Sequence, residues 1–108
     1  MSLIEEDIED KDLETLTDKP KMMAKIRNME LADNKITKVD IIADNFPNLG
    51  RLQLSRNKIN NIDNISKLSK LAKLNLRNNQ LKALPSEICK LSQLKSFNFR
   101  HNKIEELP

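Results

Sequence analysis

Four asparagines, Asn34, Asn57, Asn79 and Asn102, stand 23, 22 and 23 residues apart in a chain of 108 residues. Around each one the apolar residues keep the same offsets. In Leu71–Leu81, residues Leu71, Leu74, Leu76 and Leu81 occupy positions 1, 4, 6 and 11, and Asn79 occupies position 9. Ile26–Ile36, Leu49–Ile59 and Leu94–Ile104 follow the same template. Four copies in phase are not a coincidence. A fixed period of this size means one structural unit per repeat, and such a unit buries its apolar face only against its neighbours. The chain is therefore expected to fold as a stack, with a single core running through it.

Within each unit the alternating step Met29–Leu31, Leu52–Leu54, Leu74–Leu76 or Phe97–Phe99 predicts a short strand. Its named apolar residues face inward, and Glu30, Gln53, Asn75 and Asn98 face outward. Stacking makes these strands neighbours in a parallel sheet. The asparagine marks a corner, where its amide can satisfy backbone groups that the bend leaves unpaired. The return segments differ in kind. Asp40–Leu49 reads as a short α-helix ended by Phe46-Pro47, and Ile62–Leu71 suits a 3₁₀-like turn. Leu84–Leu94 sets Ile88, Leu91 and Leu94 three residues apart, with Ser86 as a helix cap.

The template L-x-x-L-x-L-x-x-N-x-L resembles that of the leucine-rich-repeat family. The resemblance covers most of the chain. It implies an α/β solenoid, a leucine-rich-repeat horseshoe with a concave parallel β-sheet and short helical or 3₁₀ convex segments. The expected content is about four repeats (26–48, 49–70, 71–93 and an incomplete 94–108) behind a degenerate N-terminal cap repeat (1–25). Leu84-Pro85 through Leu94 is similar to repeats of Ras-suppressor-like scaffolds. Ile62–Leu71 is closer to the repeats of phosphatase-regulator proteins. The mixture selects neither subfamily.

The first 25 residues lack the asparagine, but subtracting 23 from Leu31, Ile36 and Val39 reaches Ile8, Leu13 and Leu16, with Lys11 in the asparagine's place. This phase favours a cap whose outer side is solvated by Glu5, Glu6, Asp7, Glu9 and Asp10. The rival reading is a flexible acidic tail. At the other end the template runs to Leu107-Pro108 with no polar closing segment, so the core side of Phe97, Phe99, Ile104 and Leu107 is expected to face solvent. Either the chain is a piece of a longer array, the favoured reading, or two copies associate through that end.

Composition narrows the function classes. No stretch is apolar enough for a membrane helix, and the acidic N-terminus lacks the features of a signal peptide. Cys89 is the single cysteine, so no disulfide forms within the chain, and Asn64-Ile65-Ser66 is a sequon of a kind common by chance. A cytoplasmic location is expected, with the nucleus as the alternative. One cysteine and one histidine cannot build a zinc site, and Gly50 alone cannot form a glycine-rich phosphate loop. Neither a metal, a cofactor nor a catalytic constellation is expected.

The resemblance makes the outward strand face the binding face. Its columns read Asn28, Arg51, Lys73 and Ser96 at position 3, then Glu30, Gln53, Asn75 and Asn98 at position 5. Ala32, Ser55, Arg77 and Arg100 follow at position 7, and Asp33, Arg56, Asn78 and His101 at position 8. Four of the five arginines fall in these columns. Arginine's planar fork suits carboxylates and phosphates, and Arg77 and Arg100 are adjacent like charges that an acidic ligand would relieve. Partner-binding candidates are thus Arg51, Gln53, Arg56, Lys73, Asn75, Arg77, Asn98, Arg100 and His101. Asn34, Asn57, Asn79 and Asn102 form a structural ladder. The leading function is a non-catalytic protein-protein interaction scaffold that receives an acidic helix or peptide. An alternative is a regulatory or targeting segment of a larger signalling protein, associated with a phosphatase, kinase or GTPase. Nucleic acid is a weaker alternative, because the basic pI comes without aromatics to stack on bases.

Overall fold

The computed structural model of the chain describes residues 1–15, 19–105 and 107. Leu16 and Pro108 lie outside the described residues. Each template contributes one strand: β1 (Asn28–Glu30), β2 (Arg51–Gln53), β3 (Lys73–Asn75) and β4 (Ser96–Asn98). They form a parallel sheet in the order β1-β2-β3-β4. The register sets Met29, Leu52, Leu74 and Phe97 side by side, and Glu30, Gln53, Asn75 and Asn98 likewise. Equal template positions therefore make continuous rows across the sheet. The strands start and stop one residue earlier than the alternation suggests, because the chain begins to bend at the second apolar residue. The bending residues still reach the next strand, as in the bond from the Leu31 N–H to the Gln53 carbonyl at 2.8 Å.

The return segments are α3 (Asp40–Asn45) and two 3₁₀ turns, Ile65–Lys67 and Ser86–Lys90. Pro47 disfavours a helical Phe46, and Phe46 indeed leaves the helix at φ −122°. Ser86 is not a cap. Pro85 occupies that place in extended backbone, and no side chain caps the turn. The three-residue spacing of Ile88, Leu91 and Leu94 is the 3₁₀ period. Inside, the aliphatic residues of the first three templates except Ile26 are almost fully buried, whereas Ile26, Phe97, Phe99 and Ile104 are only half-buried. The two phenylalanine rings pack with centroids 4.9 Å apart at 44°, so each partly covers the other. Leu107 is exposed.

The asparagines bind more than their own corners. Asn57 Nδ2 donates to the carbonyls of Leu54 and Ser55 and also to that of Leu31 in the preceding unit (2.9 Å). Its Oδ1 accepts the N–H of Ile36, again one unit back, at 3.1 Å. Asn79 repeats this pattern on Leu54, Leu76, Arg77 and Ile59. Asn102 repeats it on Leu76, Phe99, Arg100 and Leu81. Each amide is a rivet between consecutive units.

That pattern corrects the phase expected at the N-terminus. Asn34 donates to the Leu3 carbonyl and accepts the N–H groups of Glu6 and Ile8. Ile8 therefore stands where Ile36 stands one unit later, not where Leu31 does. Glu6, 28 residues before Asn34, takes the asparagine's place, and Lys11 does not. Ser2 pairs with Glu30, so the first residues lie on the outer edge of β1. The longer leading unit accommodates α1 (Asp10–Glu14) and α2 (Pro20–Met23), and that added length defeats a subtraction of 23. Leu13 of α1 and Met23 of α2 are buried.

Candidate functional site

Because the inward positions are filled by the core, positions 3 and 5 of every strand are left on the open face. Together with Ala32 and Ser55 at position 7 of the first two repeats, they frame a groove of about 470 Å³. Of the expected binding residues, Arg51, Gln53, Arg56, Lys73, Asn75 and Asn98 line it. Arg100 lines a separate hollow of about 410 Å³ beside Phe97 and Phe99. Arg77 and His101 line neither. Ile4 completes the groove at the β1 edge and was not among the expected residues. In the corrected register it occupies position 7 of the leading unit.

Position 8 serves the turn. Asp33, Arg56, Asn78 and His101 all adopt left-handed backbone, with φ between 55° and 60°. Aspartate, asparagine and histidine tolerate that conformation better than most residues, whereas arginine is less suited to it. Arg56 is also not free for a ligand. Its guanidinium grips Asp33 with two bonds, Nε to Oδ1 at 2.5 Å and an NH2 nitrogen to Oδ2 at 2.9 Å. The pair ties two adjacent units at the rim. Arg51, Lys73, Arg77 and Arg100, by contrast, make no ion pair among the described residues.

The row at position 5 is half committed. The side-chain carbonyls of Gln53, Asn75 and Asn98 each accept the N–H of the residue two further on, at 3.0 Å. This bond supports the chain as it leaves the strand. It also fixes each amide so that its NH₂ group is the part left for a ligand. The face therefore offers guanidinium, ammonium and amide donors, with Glu30 as the carboxylate set among them. Chemically, such a face complements hydrogen-bond acceptors and negative charge.

The hydrogen bond from Arg56 holds the Asp33 carboxyl below the usual carboxylate range, reinforced by the nearby positive charge and opposed by desolvation. A lowered folded-state value adds stability above the ordinary aspartate pKa, and that contribution disappears as pH falls through the folded value. Asp33→Asn should therefore melt slightly below the wild type at neutral pH. The gap should begin to narrow below about pH 4 and close as pH falls through the lowered folded value. Paired thermal melts at the two pH values check this, and a gap that persists in acid would refute the assignment.

A leucine-rich-repeat family model matches residues 24–81. The chain belongs to the leucine-rich-repeat family. Solved structures agree with its fold. Over 74% of its length this leucine-rich-repeat chain is 39% identical to a leucine-rich-repeat protein of Leptospira interrogans, with a TM-score of 0.68. It is 30% identical to an internalin of Listeria monocytogenes over 84% of its length, with a TM-score of 0.69. At 21% identity and a TM-score of 0.52, the leucine-rich-repeat ectodomain of an Arabidopsis thaliana receptor kinase shares the fold, over 83% of this chain and 65% of its own. The chain spans 21% of the Leptospira protein and 26% of the internalin. No curated protein matches it. Leucine-rich-repeat proteins generally act in protein-protein interaction. Among the described residues no helix is long and apolar enough to cross a membrane.

Proposed function

We propose that this leucine-rich-repeat protein is a non-catalytic interaction scaffold that receives an acidic segment of a partner protein on its concave sheet face. One observation carries the reading: Arg51, Lys73, Arg77 and Arg100 share that face without an ion-pair partner among the described residues. Cations left unpaired in rows about 4.8 Å apart repel one another, and a carboxylate-bearing ligand converts that repulsion into attraction. The donors of Gln53, Asn75 and Asn98 add directional bonds. Arginine is a common anchor of protein interfaces, and here it stands in for the missing aromatics.

The reading places the protein in the cytoplasm, where the exposed thiol of Cys89 stays reduced. Capture from a cytosolic extract is therefore the test, with Arg77→Glu/Arg100→Glu and Arg51→Glu/Lys73→Glu beside the wild type. The expected result is a partner held by wild type and lost, by about tenfold or more, from at least one charge-reversed pair. A partner list unchanged in both variants would move binding to another surface.

A further inference from the structure

We infer that the concave face is shaped for an acidic α-helix lying across the strands, not for an extended peptide. The inference rests on the concave-face reading and narrows it to one occupant. The groove itself sets the direction. Its walls come from Ile4 beside β1, Glu30 on β1, Arg51 on β2, Lys73 on β3 and Asn98 on β4; past the strands it reaches Ala32, Ser55 and Arg56 of the first two repeats, whereas Arg77, two residues beyond β3, stands outside it. A ligand seated there advances from strand to strand and meets one row member at each step.

Each step is a strand spacing, about 4.8 Å. One helical turn advances about 5.4 Å, whereas alternate residues of an extended chain advance about 6.7 Å. Over the two steps from β2 to β4 the helix drifts out of register by about 1 Å and the extended chain by about 4 Å. Arginine and lysine could absorb the larger error by bending. The middle row cannot. Gln53, Asn75 and Asn98 are each anchored through their carbonyls to a backbone N–H at 3.0 Å. Their amide NH₂ groups are thus donors fixed at strand spacing, matched to one acceptor per helical turn.

Charge then sets the composition of the helix. Arg51 and Lys73 are register partners on neighbouring strands, so they call for carboxylates on successive turns, at i and i+3 or i+4. Glu30 repels a further acid at the β1 edge. There Ile4 is 43% exposed and presents the groove's apolar shoulder. The first helical turn, with its partial positive charge, belongs over Glu30, and an apolar side chain in that turn covers Ile4. The ligand is an acidic stripe that ends in one apolar residue.

Two labelled peptides of about 16 residues and identical composition test this against the whole chain by fluorescence anisotropy. One is held helical by a side-chain crosslink, with Glu on three successive turns and Leu in the first. The other has Glu at alternate positions, and D-residues block its helix. The helical peptide should bind at least about tenfold tighter, and Arg51→Ala/Lys73→Ala should weaken it by about tenfold. Both residues are exposed, so this variant keeps the fold. Moving the Leu to the last turn should weaken binding severalfold. An extended isomer that binds as tightly, and still depends on Arg51 and Lys73, overturns the helix while leaving the concave-face reading intact. If neither peptide binds, or if the double variant binds the helix as well as wild type, the helix inference fails, and the charge-reversal capture alone decides the concave-face reading.

Discussion

Asn57→Ala should lower stability by about 3–5 kcal/mol, since the amide makes four backbone bonds at roughly 1 kcal/mol net each. Against a typical total of about 5–15 kcal/mol, that loss removes roughly a fifth of the fold's stability or more. The melting temperature should drop by roughly 15–30 °C. The cost is large because the groups left behind belong to two consecutive units and are shielded from water; Asn57 is 7% exposed. Asn102→Ala removes the same number of bonds but should cost less, because Asn102 is half-buried and water can replace the amide. Asn57→Asp sharpens the test. It keeps the acceptor for Ile36 but turns a carboxylate oxygen toward the carbonyls of Leu31, Leu54 and Ser55. Burial and those carbonyls raise the folded-state pKa of the new acid. Its stability deficit relative to wild type should therefore grow as pH rises through that value and shrink in acid. Urea melts of the three variants at two pH values measure all of this. Equal losses at positions 57 and 102 would mean that the amides act only within their own corners.

Most of the fold was legible because stacking leaves little freedom. Once the asparagines are 22 or 23 residues apart, the register Asn28↔Arg51↔Lys73↔Ser96 follows, since a slip of one residue would turn the core residues outward. The leading unit escaped that logic. Its apolar residues are sparse enough that Ile8 fits two phases. The bonds of Asn34 to the Leu3 carbonyl and to the N–H groups of Glu6 and Ile8, the last at 2.8 Å, separate them. The signal available in the sequence was Leu3-Ile4-Glu5-Glu6-Asp7-Ile8, which aligns with Leu31-Ala32-Asp33-Asn34-Lys35-Ile36 if Glu6 is allowed to replace the asparagine.

The site was legible in its rows but not in its commitments. Period-two alternation places Arg51, Lys73 and the amides on one face, as the register requires. It does not reveal that Arg56 closes on Asp33, because that pairing depends on a left-handed turn at position 8. Nor does it show that the amide carbonyls of the middle row are already bonded to the backbone. Both facts are local hydrogen-bond choices that leave no mark in the apolar pattern. They divide the expected surface into a free set, Arg51, Lys73, Arg77 and Arg100, and a set that holds the repeats together.

Phe46→Ala should cost about 3–5 kcal/mol, the range for emptying a buried aromatic site, and its effect should be concentrated at the N-terminal end. Phe46 is 2% exposed and is the largest fully buried side chain among the described residues. It belongs to a column. Met23, Phe46, Leu68 and Leu91 are all buried, and the carbonyl of each accepts the N–H three residues on, where the chain enters its next strand. The ring also borders the hollow formed with Met22, Met23 and Ile26, so it lies between the leading unit and the rest of the stack. A stack is held by nearest-neighbour contacts. A cavity at this junction should therefore loosen α1, α2 and the pairing of Ser2 with Glu30 before β3 and β4 lose protection. Phe46→Leu, which gives the column the residue found at positions 68 and 91, should recover most of the loss and cost about 1–2 kcal/mol. Hydrogen exchange resolved along the chain distinguishes the outcomes. Early exchange confined to the first units would locate the junction at Phe46. Uniform loss across all four strands would mean that the stack unfolds as one cooperative body, with the leading unit no weaker than the others.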